Sequence, residues 1–417
     1  MHEICSAPCQ RFLHQRSRLL LLTLLLLSAS LVLYRIAASR RAEYVLRHAS
    51  LSELQAVAAR DADNPRVFYY LGLRAQEAGQ GPLAMSAFLR AATLAPDDEK
   101  LWLIWSQTAF SVQGSQAARD ILLTFIKVHP KNVLAHMQLA KLMEQEGSLS
   151  DAYEVAQRAT KLEPQSAAAW QLLGKVALEQ HNSGQAESAF RRAIALRPQD
   201  SFSHASLGDA FFLMSRYPEA AAAYHEAVRL APHMGTAYMA LGQTLLKMAS
   251  SPEEIEAARA NLQQALARLA TMQQTGLYYT YLCLGQSYAR QSRWKEALPW
   301  LKQAEAIQAP SADSNNDAHF ELAQVYRALH DSANAAREMA LHQKLVAYFL
   351  QVRALTSRLS AYPNDTQASL RLARLFASHQ DYPQADKAYR SALAYAADKQ
   401  AVRQERDALV GRHPGAR

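Results

Sequence analysis

The sequence predicts an all-α fold, an array of about nine helix–turn–helix units, and three observations carry that reading. Prolines recur at Pro96, Pro130, Pro164, Pro198 and Pro232, a constant spacing of 34 residues. Two more columns keep that period. Ala84, Ala118, Ala152, Ala186 and Ala220 lie twelve residues before the prolines, and Leu71, Trp105, Leu139, Leu173 and Leu207 are each followed by a small residue, Gly72, Ser106, Ala140, Gly174 or Gly208. Half of the 417 residues are hydrophobic while glycine and proline number only 14 and 15, a balance that favours helices joined by short turns.

Each unit reads as two amphipathic helices. In the first copy, Pro65 to Ala78 carries Phe68, Leu71 and Ala75 on one face, and the second half carries Ala84, Phe88 and Ala91. Small residues such as Gly72 and Ala91 let two helix backbones approach, and Phe68, Leu71 and Phe88 fill the space beside them. The column proline then ends the pair, and it suits the first turn of the next helix.

This pattern resembles the tetratricopeptide repeat family, in which large, Leu, Gly, Ala, aromatic, Ala and Pro slots are filled in that order. Trp170, Leu173, Gly174, Ala186, Phe190, Ala193 and Pro198 form the cleanest copy. The resemblance implies a right-handed α-solenoid superhelix and places units at 65–98, 99–132, 133–166, 167–200 and 201–234. A sixth begins at 235 with Tyr238, Leu241 and Gly242, and its second helix (Ala258, Leu262, Ala265) arrives four residues late, after an enlarged turn at Ser250, Ser251 and Pro252. A seventh follows from 278 (Tyr281, Leu284, Gly285, Tyr288), an eighth from about 316 (Leu322, Ala323, Tyr326) and a ninth from about 366 (Leu372, Ala373, Phe376, Ala385, Tyr389). Between the last two, Leu345, Phe349, Val352, Leu355 and Leu359 hold helical phase until Tyr362 and Pro363, which departs from the family pattern.

The expected organisation is a basic tail at 1–18, a transmembrane anchor or signal segment at 19–38, and a linker with a capping helix at 39–64. Repeats one to seven then occupy 65–311, and repeats eight and nine 312–399, with an extended helix near 333–361. A C-terminal capping helix and tail complete the chain at 400–417. The capping helix before the array is signalled by Ser50 and Glu53, a capping-box pair ahead of Leu54 and Val57.

Leu19 to Tyr34 reads LLLLTLLLLSASLVLY behind Arg16 and Arg18, and Ile36 to Ala38 extend it toward the length that crosses a bilayer. Ser28, Ala29 and Ser30 resemble a signal-cleavage site, yet the apolar run continues through Leu31, Val32 and Leu33, which favours an uncleaved anchor. Basic residues flank both sides, so charge alone leaves orientation open. A short basic tail before a Leu-rich first segment favours repeats outside the cytoplasm, with secretion after cleavage or cytoplasmic repeats as the alternatives.

The formal charge of +8 is concentrated before the repeats. Residues 1–48 hold seven arginines against Glu3 and Glu43, a net +5 that leaves +3 for the rest. No basic stripe interleaved with aromatics follows, so nucleic acid is not an expected partner. Cys5, Cys9 and Cys283 are too few for a disulfide framework, and Cys283 sits beside Leu282 and Leu284 as a buried thiol would. No H-E-x-x-H pair, Gly-rich phosphate loop or G-x-S-x-G elbow occurs, and His319, His330 and His342 lie eleven and twelve apart. No enzyme activity, metal or cofactor is expected.

The resemblance implies protein partners, gripped as peptides or helices on the face lined by first helices. Residues one, four, eight and eleven places beyond each unit's start project there. The candidate groove residues are Leu103 and Phe110 of the second unit, with Lys100 and Gln107 beside them, and Phe202, Asp209, Phe212, Met239, Gln243, Leu246, Tyr279, Leu282 and Gln286 of the fifth to seventh. The same side chains also suit packing between neighbouring first helices. The clamp of lysine, asparagine and arginine by which one subset of the family holds chaperone C-termini is missing: Tyr69, Leu73 and Ile104 occupy its slots, while Lys141 and Arg374 lack companions. A membrane-anchored scaffold for envelope assembly, secretion or cytochrome maturation is the expected function. The alternatives are an accessory subunit positioning a separate enzyme and a cytosol-facing organelle import receptor.

Overall fold

The computed structural model describes residues 41–269, 274–307, 318–362 and 364–412. Among them every regular element is a helix. The apolar segment at 19–38 lies outside the described residues, and no described helix is long and apolar enough to cross a membrane.

The chain divides into two compact units, Met1–Ala189 and Phe190–Arg417. The first opens with residues 41–48 (α1) and Leu51–Arg60 (α2), followed by Pro65–Glu77 (α3), Gly81–Leu94 (α4), Glu99–Gln113 (α5), Ser115–Val128 (α6), Val133–Glu146 (α7), Leu149–Leu162 (α8) and Ala167–Glu179 (α9). The division falls inside Ser183–Leu196 (α10). The second holds Ser201–Leu213 (α11), Tyr217–Leu230 (α12), Gly235–Met248 (α13), Pro252–Arg268 (α14), Gln274–Ala289 (α15), Trp294–Glu305 (α16), Ala318–Ala328 (α17), Ser332–Ala361 (α18), Thr366–Ser378 (α19), Tyr382–Tyr395 (α20) and Lys399–Arg412 (α21). Within each unit successive helices pack against one another, and α13 also touches α15 as α15 touches α17.

The periodic columns meet inside these pairs. The small residue after the large one faces the aromatic of the second helix: a Cβ built on Gly72 would lie 2.6 Å from the Phe88 ring, and one on Gly208 would lie 2.6 Å from the Tyr224 ring. Ala84, Ala118, Ala152 and Ala220 are almost fully covered, because any larger side chain would hold the two backbones apart. Turns within pairs need a left-handed residue, supplied by Gly79 and Gly147 and also by His181, Ser215, Ser292, His330 and Gln380.

The column prolines do not begin the next helix. Pro96, Pro130, Pro164 and Pro198 sit in the turns between pairs, and Asp98, Asn132 and Asp200, two residues later, cap the following helices. A capping side chain satisfies the free N–H groups of a first turn, which a proline cannot. The proline carbonyls are used instead: Pro96 O accepts the Trp102 ring N–H at 2.9 Å and Pro164 O that of Trp170 at 3.0 Å.

The pair α13–α14 departs from the others. Its turn contains no left-handed residue, and Ser251 with Glu254 forms a capping box that starts a 17-residue α14. Farther on, α18 runs unbroken for 30 residues, since no glycine or proline interrupts Ser332–Ala361, and Val352, Leu355 and Leu359 pack against the core of α19 and α20.

Candidate functional site

Five of the eleven residues read as groove candidates converge. Gln243 and Leu246 of α13 and Tyr279, Leu282 and Gln286 of α15 line one cleft of about 370 Å³, closed at its far side by Glu321 of α17. The expected enlarged turn is not seen: residues 249–251 connect α13 to α14, three residues as in most other pairs, and the late second-helix column reflects the extra length of the 17-residue α14. The last carbonyls of a helix have no partner within it, and Arg290, just past the end of α15, donates to the carbonyls of Leu246 and Ala249, the second at 2.6 Å, which joins the end of α13 to α15.

The floor and rim of the cleft differ chemically. Leu246 is 5 % exposed and Leu282 2 %, so neither is an open apolar anchor; each is packed in a core cluster. Their positions on the first helices face the neighbouring pair rather than solvent, which is the packing role that helical geometry also allows. Tyr279 is half-buried against the same cluster as Leu282. The rim is polar: Gln286 donates to Glu321 at 2.9 Å, Gln243 stands half-open, and Lys247 is exposed. Cys283 forms part of the wall, and burial pushes its thiol up to about 12, which keeps it protonated and unreactive.

The remaining candidates stand elsewhere. Phe202 is exposed on α11, Met239 is half-buried on α13, and neither lines the cleft. Phe212 turns toward the end of its own pair and meets the Tyr217 ring at 5.5 Å, because it occupies the last turn of α11. Asp209 reaches solvent while ringed by protein. That crowding pushes its carboxyl above the usual range, and the hydrogen bond donated by the Tyr224 hydroxyl at 2.7 Å opposes the push. In the first unit, Leu103 packs against the core near Trp102 and Trp105, while Phe110 is 45 % exposed.

Lys247, Arg290 and Glu321 were not legible as site residues. Arg290 lies beyond α15 and Glu321 comes from the following pair, so the helical projection of a single unit does not contain them. A larger hollow of about 620 Å³ in the first unit, walled by Tyr153 and Trp170, has its one cation, Lys161, tied to Gln157 at 2.9 Å and lacks convergent charge.

One titratable cluster also escaped the spacing argument. Glu305, His319 and Glu338, from α16, α17 and α18, bring their ligand-type atoms within 4.8 Å of one another. Both oxygens of Glu338 are engaged: His319 Nδ1 lies 2.8 Å from Oε2 and Arg337 donates to Oε1 at 2.7 Å. The hydrogen bond from His319 to Glu338 ties α17 to α18, with Glu305 of α16 alongside. Burial pushes the Glu338 carboxyl up, yet the hydrogen bonds and positive charges of His319 and Arg337 outweigh it and hold the group below the usual range.

Comparison with known proteins agrees with the periodic reading. Tetratricopeptide repeat models match residues 133–176 and 205–260. No curated protein matches the chain. Among solved structures, the chain is similar to a tetratricopeptide repeat protein of Parabacteroides merdae (13 % identity, 64 % of this chain and 98 % of that one, TM-score 0.46). It is also similar to Pseudomonas aeruginosa pilF (18 %, 51 % and 91 %, 0.43) and to MamA protein (22 %, 40 % and 90 %, 0.37). The two stretches that match tetratricopeptide repeat models, 133–176 and 205–260, fall one in each unit, and both carry the periodic columns on paired helices.

Proposed function

We propose that the protein is a membrane-anchored scaffold that holds segments of partner proteins in the cleft between α13, α15 and α17. The observation that carries this reading is the convergence of Gln243, Lys247, Gln286 and Glu321 around an apolar floor made by Leu246 and Leu282. Amide and charged groups on the rim suit a peptide backbone and its polar side chains, and the floor receives one or two apolar side chains, the usual composition of a specific site. Residues 19–38 anchor the chain, by the length of the apolar run, and the repeats stand outside the cytoplasm in envelope assembly, secretion or cytochrome maturation.

The test uses rim residues, because Tyr279, Leu246 and Leu282 also support the core. A Gln243→Ala, Lys247→Glu double variant is expected to lose the partners that co-purify with the full chain from its native membrane, by roughly 2 kcal/mol if the pair contributes as a hot spot, at an unchanged melting temperature. Equal recovery of those partners by the double variant contradicts the reading.

A further inference from the structure

The helix α1 has two faces, and only one of them is used. Its inner face is fixed to the array: Leu46 and Ala49 pack on the cluster of Leu54, Leu71 and Ala87. Glu43 accepts a hydrogen bond from the Tyr70 hydroxyl at 3.3 Å, and Arg74 donates to the Arg47 carbonyl at 2.6 Å. The outer face is formed by Arg41, Tyr44, Val45 and His48, at the i, i+3, i+4 and i+7 spacing that places them within about 100° of arc. Tyr44 is 65 % and Val45 59 % exposed, and the Tyr44 and His48 rings lie 4.1 Å apart, tilted by 32°.

We infer that this outer face of α1 lies in the headgroup layer of a lipid bilayer and seats the first helix pairs against the membrane. Three things on the chain select lipid as the occupant. The run LLLLTLLLLSASLVLY ends at Tyr34, and Ile36, Ala37 and Ala38 carry apolar character to within three residues of Arg41. Tyrosine and arginine are the side chains that settle at the boundary of hydrocarbon and water, the ring in the interface and the guanidinium at phosphate. Arg40 and Arg41 supply positive charge for anionic headgroups, in the stretch that carries most of the net charge. Because α1 is tied to α2 and α3 on its other side, an interfacial α1 also restricts how the array leans from the bilayer.

The inference rests on the anchor reading above, and the experiment separates the two. The full chain with Cys5 and Cys9 changed to serine is reconstituted in liposomes of phosphatidylcholine and phosphatidylglycerol, carrying Tyr44→Cys, Val45→Cys or, as control, Val128→Cys. An environment-sensitive fluorophore is attached to each. Val128 is exposed to the same 65 % as Tyr44, and the buried Cys283 thiol stays unlabelled. Flotation of the liposomes reports the anchor. In floated protein, probes at 44 and 45 are expected to shift to the blue and to be quenched by lipids spin-labelled near the headgroup, with the probe at 128 unaffected. Quenching at 44 and 45 no greater than at 128 overturns the inference while leaving the anchor intact. A blue shift without lipid quenching assigns the face to a protein and overturns it as well. A chain that does not float overturns the anchor reading and this inference with it.

Discussion

Replacing Gly208 with alanine probes the close approach that the repeat requires. The new methyl group would lie 2.6, 2.7 and 2.9 Å from three atoms of the Tyr224 ring, about 1 Å inside ordinary contact. The ring has little room to retreat, since Tyr224 is 2 % exposed and its hydroxyl is held by Asp209. Overpacking of this kind costs about 1–3 kcal/mol, against which alanine regains up to about 1 kcal/mol of helix propensity. A control with the same propensity gain and no clash is Gly184→Ala, where an added Cβ meets nothing within 4 Å. Melting followed by circular dichroism should therefore place Gly208→Ala below wild type, by up to about 8 °C for a net loss of about 2 kcal/mol, and Gly184→Ala at or slightly above it. Equal midpoints for the two variants would refute the claim that the small-residue column sets the helix spacing.

Ser215, held at φ 58° in the α11–α12 turn, should gain about 0.5 kcal/mol when changed to glycine, and Gly147→Ala, at φ 83°, should lose about 1–2 kcal/mol; chemical denaturation of each variant checks both signs. Arg259 is 3 % exposed, donates to Ser287 Oγ at 2.9 Å, the Ser287 carbonyl at 3.1 Å and Gln291 at 2.7 Å, and lies over the Tyr288 ring. Arg259→Lys should cost at least about 2 kcal/mol, because an ammonium reproduces neither the fork nor the stacking; a melt within a degree of wild type would show the network to be dispensable. The depressed Glu338 carboxyl contributes stability that is complete above the usual 4.5 and is lost as the pH falls through its lower folded value, so Glu338→Gln should flatten the acid side of the stability profile, as thermal melts from pH 3 to 6 will show.

Much of the helical order was legible because the repeat writes its packing into fixed columns. Large, small and alanine positions recur where two helices touch, and their period survives single substitutions such as Trp105 in the leucine column. The proline column marked the right turns for an incomplete reason, since the helix starts are made by Asp98, Asn132 and Asp200 two residues on. The candidate site was half legible. Helical projection found Gln243, Tyr279 and Gln286, but projection cannot tell a floor from a rim, and Leu246 and Leu282 point into the seam between neighbouring pairs. Lys247, Arg290 and Glu321 depend on where one helix pair sits relative to the next, which a per-unit template does not encode. The approach of Glu305, His319 and Glu338 was hidden for the same reason.

The most direct test of the scaffold reading is site-specific photo-crosslinking in the native membrane. A photoreactive amino acid is placed in turn at Gln243, Lys247 and Gln286 on the cleft rim, and at Leu89 and Leu123, exposed positions on the second helices of the first unit. One or a few discrete protein adducts are expected from the three rim positions, shared among them and absent from Leu89 and Leu123. Adducts that form equally at Leu89 and Leu123, or none at the rim while those two positions crosslink, would contradict it.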